Sequence, residues 1–317
     1  MKDEIKKGQS KLIAIVGPTA TGKTAVGIEL AKRVAGEIIS VDSMAVYKYM
    51  DLGTAKPTPQ ERASVPFYLI DIVCPDQEFS VVEFKSQAEQ AIADILDRGK
   101  VPILVGGTGL YIQALMGDYN VPQAEPNFEL RQRLVLEAQE CGNNCVMERL
   151  RAVDPVTAAR LHANDLKRII RAIEVFEATG IPISRFHQYS GRAEPLHSIT
   201  VVGLTVDRSI LYERIERRID QWIEEGLVEE VEGLLKRGYS PSLPAMKGLG
   251  YRQIAGYLLG EYDLAAAVDL LKRDTRRFAK RQFTWFKRMS IVRWIDVDGR
   301  TAPDIAEEIE HLMRATA

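Results

Sequence analysis

A chain of 317 residues with 46% hydrophobic content holds enough apolar material for about two domains and a sizeable core. Its 42 basic and 44 acidic side chains leave a net charge of −2, which excludes a surface that is basic throughout. No run approaches the ~20 apolar residues of a bilayer span and no opening stretch has a signal-peptide pattern, so a cytoplasmic protein is expected, with no membrane attachment and no obligate protein partner. The three cysteines (Cys74, Cys141, Cys145) suit neither a disulfide framework nor a zinc site and point to reduced thiols.

In chain order, the apolar run Leu12–Val16 predicts a strand and Ala25–Val34 a helix. Between them Gly17-Pro18-Thr19-Ala20-Thr21-Gly22-Lys23-Thr24 fits G-x-x-x-x-G-K-[ST], a P-loop in the strand-to-helix context it requires. Such a loop turns backbone N–H groups toward a di- or triphosphate, adds the Lys23 ammonium and offers the Thr24 hydroxyl to Mg²⁺. Glu37–Val41 predicts a second strand, expected beside the first, with Asp42 at its C-terminal end. There Asp42 is a candidate base, the rival reading being a helix N-cap. Tyr68–Ile72 is a short apolar run, and Tyr68-Leu69-Ile70-Asp71 can be read as a strand-end acid that helps hold Mg²⁺. Val82–Leu96 predicts a helix and Val101–Val105 a buried strand, followed by the glycine-rich loop Gly106-Gly107-Thr108-Gly109. Interleaved strands and helices of this kind predict an α/β fold, a P-loop parallel sheet flanked by helices.

From Val121 the texture changes, with Pro122 and Pro126 followed by helical patterning to about Thr179. No strand-like run returns until Ile199–Leu204. The expected organisation is therefore a core of residues 1–120 and 198–317 interrupted by a helical insertion, 121–197. Ile210–Lys236 and Leu264–Arg288 predict long helices. Between Lys272 and Arg293 nine basic residues face one acid, Asp274, which is the footprint of a polyanion site in an otherwise neutral chain. Tyr47 and Trp285 are expected as core aromatics.

These elements together resemble the tRNA dimethylallyltransferases, also called tRNA isopentenyltransferases. The similarity includes the P-loop, Val41-Asp42-Ser43-Met44-Ala45-Val46-Tyr47, Gly106-Gly107-Thr108-Gly109-Leu110-Tyr111, Asn164 to Val175, Leu211-Tyr212-Glu213-Arg214-Ile215-Glu216-Arg217-Arg218, and Arg276 to Phe286. The resemblance implies transfer of a dimethylallyl group from dimethylallyl diphosphate to N6 of adenosine 37 of tRNA, with Mg²⁺ as cofactor. It implies that Asp42 takes the N6 proton, that Thr108 positions the base, and that Lys23 and Arg217 clamp the diphosphate. It further implies anticodon stem-loop contacts from Asp42, Ser43, Met44, Ala45 and Thr108, from Lys167, Arg168, Ile169, Ile170 and Arg171 in the insertion, and from Arg277, Lys280, Arg281 and Gln282. On the residues alone, Arg168 and Arg171 could instead pair with Asp165 and Glu174. A P-loop small-molecule or nucleotide kinase, or an RNA-binding ATPase, would share the phosphate loop.

Overall fold

A computed structural model of the chain describes residues 10–117, 122, 124–189 and 197–315. The chain forms two compact units: Met1–Leu115 joined with Leu196–Ala317, and Met116–Pro195. Val121, where the sequence texture changes, lies outside the described residues.

The first unit opens with β1 (Ser10–Val16), α1 (Lys23–Val34), β2 (Gly36–Val41), α2 (Pro59–Ser64), β3 (Phe67–Tyr68), α3 (Val81–Asp97), β4 (Val101–Gly106) and α4 (Gly109–Leu115). The second unit contributes α5 (Phe128–Cys141), α6 (Asn143–Val153), α7 (Pro155–Ala158), α8 (Leu166–Thr179) and α9 (Ile183–Tyr189). The chain then returns to the first unit with β5 (His197–Thr205), α10 (Arg208–Glu224), α11 (Leu227–Lys236), α12 (Tyr251–Leu258), α13 (Leu264–Lys287), β6 (Arg293–Asp296) and α14 (Ala302–Ala315).

Six strands make one sheet in the order β3-β2-β4-β1-β5-β6, with every pairing parallel. Register is set by apolar residues that are buried on both faces, such as Ile13 opposite Ile103 and Ala14 opposite Val201. β2 does not lie beside β1, as the sequence suggested; β4 is inserted between them. The crossover through α1 skips one strand position, which the crossover through α3 then fills. Because the strands are parallel, β1, β2 and β4 still end on one edge of the sheet, where an open α/β fold places its ligand.

Local chemistry sets the element ends. α3 begins at a capping box in which the Ser80 side chain accepts from Glu83 N and the Glu83 carboxylate accepts from Ser80 N. The single helix expected over Ile210–Lys236 is two helices, because Gly226 adopts φ 102° and ends the first. β3 stops at Tyr68, since Leu69 and Asp71 take left-handed φ values of 61° and 58°, so no strand carries Asp71. β6 was not anticipated.

The helical unit has its own core of Leu130, Leu134, Val146, Met147, Leu150, Ile169, Ile170 and Ile173. Beside it, the fully buried Glu174 carboxylate accepts from Arg131 Nε at 2.8 Å, from Arg131 Nη2 at 3.0 Å, from Arg171 and from Asn127 N. Burial alone would raise its pKa, but these donors outweigh burial and hold the carboxyl below its ordinary value.

Candidate active site

The loop between β1 and α1 is braced from within. Thr21 Oγ1 donates to Pro18 O at 2.9 Å, and Lys23 Nζ donates to the same carbonyl at 2.6 Å. Thr19 N–H donates to Gln282 Oε1 at 2.9 Å, while Gln282 Nε2 donates to Gly107 O at 3.0 Å. One side chain of α13 thus links the P-loop to the loop after β4. That approach needs glycine: a Cβ on Gly107 would lie 2.1 Å from Gln282 Nε2, and one on Gly109 would lie 2.1 Å from Trp285 Cδ1. Thr19, Ala20, Gly22, Lys23 and Thr24 line a cleft of about 730 Å³, whereas Gly17, Pro18 and Thr21 support the loop from behind.

Across the cleft stand Asp42, Ser43, Met44, Ala45 and Thr108. Asp42 Oδ1 accepts from Met44 N at 2.8 Å and from Ala45 N at 3.3 Å, so the carboxylate caps the turn after β2, where the rival reading had expected a helix N-cap and no helix begins. Among the described residues those bonds use Oδ1 alone. Thr108 N donates to Val41 O at 3.1 Å and Thr108 Oγ1 accepts from Ser43 N at 3.1 Å, which fixes the two loops against each other. Capping and catalysis are therefore compatible for Asp42.

Carboxylates line the cleft as well as cations, yet near the P-loop two cations lie close together. Burial, and next the positive charge of Arg218, bring the Lys23 ammonium down to about 7, with Asp42 opposing. Burial also lowers Arg218, and among the described residues no carboxylate pairs with it. The guanidinium in the cleft is that of Arg218, not Arg217 as expected. α10 buries Leu211, Ile215 and Ile219, which brings Arg218 to the cleft while Arg217 stays exposed to solvent. Trp222 follows on the same helix and Thr275, Phe278 and Gln282 on α13.

Among the described residues no cluster of three or more His, Cys, Asp or Glu could by itself hold a metal ion. The Thr24 hydroxyl, one of several side-chain oxygens that line the cleft, fits an ion such as Mg²⁺ that draws its remaining ligands from water and phosphates.

Several other expectations are corrected. Asp71 does not line the cleft; it binds Lys56 Nζ at 2.5 Å and Arg62 Nη1 at 2.6 Å, a tie that steadies the segment after β2. Gln282 is buried between two loops and is not a surface contact for RNA. Ile169 and Ile170 fill the core of the helical unit, so their side chains do not face RNA. Arg168 pairs with Asp165 at 2.9 Å on the helix surface and Arg171 pairs with the buried Glu174, the partners that the alternative reading named, while Lys167 is exposed. Tyr47 is a core residue, but Trp285 is 39% exposed. Arg277, Lys280 and Arg281 are exposed together on α13, with Arg277 3.8 Å from Asp274.

Residues 45–289 match the family model described as IPP transferase. The chain belongs to this family. It is 50% identical over 287 residues to a tRNA dimethylallyltransferase of Acetivibrio thermocellus, covering 90% of this chain and 92% of the relative. A second tRNA dimethylallyltransferase, from Pelotomaculum thermopropionicum, is 47% identical and spans 98% of both chains. Among solved structures, the full-length tRNA isopentenylpyrophosphate transferase of Bacillus halodurans superposes with a TM-score of 0.72 at 40% identity, over 97% of this chain and 96% of that one. A eukaryotic dimethylallyltransferase captured acting on tRNA gives 0.79 at 26% identity, over 98% and 78%. The chain is a prenyltransferase by family, and no helix among the described residues is long and apolar enough to cross a membrane.

Proposed function

We propose that this enzyme transfers the dimethylallyl group of dimethylallyl diphosphate to N6 of adenosine 37 in the anticodon loop of tRNA, in the cytoplasm. The observation that carries the reading is the pairing of a phosphate loop with Asp42 and Thr108 across one cleft. N6 forms a bond to C1 of the prenyl group as the C1–O bond breaks; the electron pair leaves with pyrophosphate and the N6 proton passes to Asp42 Oδ2. Lys23, Arg218 and the P-loop amides oppose the charge that grows on the leaving group. Thr24 would hold Mg²⁺, which when bound supplies further charge neutralisation at the phosphates. An aryl amine is a weak nucleophile, so a carboxylate held by its own backbone turn is a suitable base.

The exposed stripe of Arg277, Lys280 and Arg281 on α13 suits a run of phosphates, and the helical unit would take the anticodon loop, with Lys167 and Arg168 on its surface. An adenosine whose N6 reacts must leave the base stack, which the cleft volume accommodates. The test is incubation with unmodified tRNA and labelled dimethylallyl diphosphate, alongside labelled ATP with a small-molecule acceptor. Label in tRNA that maps to adenosine 37 supports the proposal; phosphoryl transfer from ATP without prenylated tRNA overturns it in favour of a kinase.

A further inference from the structure

Thr275 is 6% exposed, lies in the middle of α13 and lines the cleft, yet its hydroxyl has no hydrogen-bond partner. A threonine within a helix ordinarily satisfies its hydroxyl on the carbonyl one turn back. Thr284, on the same helix, does so, donating to Lys280 O at 2.9 Å. Thr275 does not. A buried hydroxyl without a partner destabilises a fold, and an isosteric apolar residue would remove that penalty.

Its neighbours define what the partner must be. Thr275, Phe278 and Gln282 recur at helical spacing on one face of α13, and Gln282 ends that stripe on the P-loop. α10 brings Arg218 into the same cleft, and Lys23 stands on the P-loop itself. Arg218 meets no carboxylate among the described residues, and Lys23 donates to the carbonyl of Pro18 with the Asp42 charge nearby. A neutral donor in company with the Lys23 ammonium and an Arg218 guanidinium that has no carboxylate partner among the described residues suits an anionic acceptor. Of the parts of the proposed donor substrate, the dimethylallyl chain offers no acceptor, which leaves the phosphate oxygens.

We infer that Thr275 is a diphosphate-binding residue, its hydroxyl donating to a phosphate oxygen of the leaving group in the site formed by Lys23, Arg218 and the P-loop. This assignment rests on the transferase reading above and adds to it a ligand that the phosphate-loop motif does not contain.

Binding of inorganic pyrophosphate to the full-length protein with Mg²⁺, without RNA, tests it. Thr275→Val should weaken pyrophosphate binding roughly 10-fold or more, the loss expected for a hydrogen bond to a charged acceptor, and Thr275→Ser should restore it to near the parent. The KM for tRNA should stay at the parental value, and the unliganded Thr275→Val protein should melt no lower than the parent. Thr275→Ala serves as a second hydroxyl deletion should the valine variant fail to fold. Parental pyrophosphate affinity in a folded hydroxyl-deleted variant overturns the assignment. So does a variant that loses thermal stability without losing affinity, because the hydroxyl is then structural. Prenylation of tRNA by the parent, measured in parallel, separates the two levels. Normal prenylation with unchanged pyrophosphate affinity overturns the role of Thr275 alone. Absent prenylation with hydroxyl-dependent affinity overturns the transferase reading and keeps Thr275 as an anion ligand.

Discussion

The ion pairs of the helical unit and the P-loop cleft of the other unit handle charge in opposite ways, although outside the cleft that other unit also pairs its buried Lys56 with Asp51 and Asp71. In the helical unit Arg131 and Arg171 converge on Glu174, and Arg168 is answered by Asp165. In the catalytic unit Lys23 rests on a backbone carbonyl and Arg218 faces no carboxylate among the described residues. Matched charges serve a fold, since the pairing offsets much of the cost of desolvation. Unmatched ones cost stability and persist where a ligand supplies the missing partner. The resemblance grouped Arg168, Arg171 and the P-loop lysine as substrate contacts and the residues alone left pairing open for the two arginines; both arginines have acidic partners, whereas Lys23 rests on a carbonyl.

The comparison can be broken most forcefully at Asp42. Its replacement by Ala should lower kcat by roughly 10²–10⁴, the loss typical of a missing general base, with tRNA affinity changed far less. Because Oδ1 also caps the turn to Met44 and Ala45, about 1 kcal/mol of stability should go with it. A kcat within a few-fold of the parent, measured at saturating substrates, would leave Asp42 with the cap alone.

Next in size is the contrast between neighbours on α10. Arg218→Ala should weaken pyrophosphate binding by roughly 10- to 100-fold, in line with loss of a charge-assisted hydrogen bond, while Arg217→Ala should bind it as the parent does. Equal losses in both variants would remove the distinction between the buried and exposed guanidinium.

Glu174→Gln probes the matched side. It leaves Arg131 and Arg171 without their anion and should cost about 1–3 kcal/mol in thermal unfolding, a range reduced because both arginines are about one-third exposed. Pyrophosphate affinity should not move. Since the folded-state carboxyl of Glu174 is held below its ordinary value, its contribution is present above the unfolded value and fades as pH falls through the folded one.

The basic stripe comes next. Replacing Arg277 and Arg281 together should weaken tRNA binding and flatten the slope of log K against log[salt] by up to roughly 1 for each phosphate no longer neutralised. Parental affinity with an unchanged slope would assign the stripe to solvent.

The smallest effect is a protonic one at Lys23. In the empty cleft this group titrates at about 7, against 10.5 for an unperturbed lysine. Between those values the unfolded chain binds more protons than the folded one, so this group makes the unliganded protein more stable as pH rises through the window and less stable as it falls toward 7. Pyrophosphate favours the charged ammonium, so binding above pH 7 should take up a fraction of a proton and weaken as pH rises. Calorimetry in two buffers of different ionisation enthalpy reads that uptake; a value of zero at pH 8 would show Lys23 already charged.

Much of this was legible in the residues. Apolar runs gave the places of β1, β2, β4 and β5, because strands buried on both faces have little besides Val, Ile and Leu. The two-residue β3 and the four-residue β6 are too short for a periodic signal. The order of strands depends on crossovers that no local pattern encodes, which is why β2 was placed wrongly. Arg217 was mistaken for the clamp although helical phase argues otherwise: at about 100° per residue it points roughly 160° from the centre of the Leu211, Ile215, Ile219 face, and Arg218 about 60° from it. Thr275 was missed because a single hydroxyl within the charged run Lys272–Arg277 has no motif. Only the absence of its partner distinguishes it.

The bond network around Gln282 makes α13 a shared structural axis. A helix of 24 residues, about 36 Å long, fixes the P-loop on one side and displays Arg277, Lys280 and Arg281 on the other. The angle between those two surfaces is then a matter of residue count. Inserting one residue between Arg281 and Gln282 would turn them by about 100° against each other, so sequence drift can change the chemistry of either surface but not the number of residues between them.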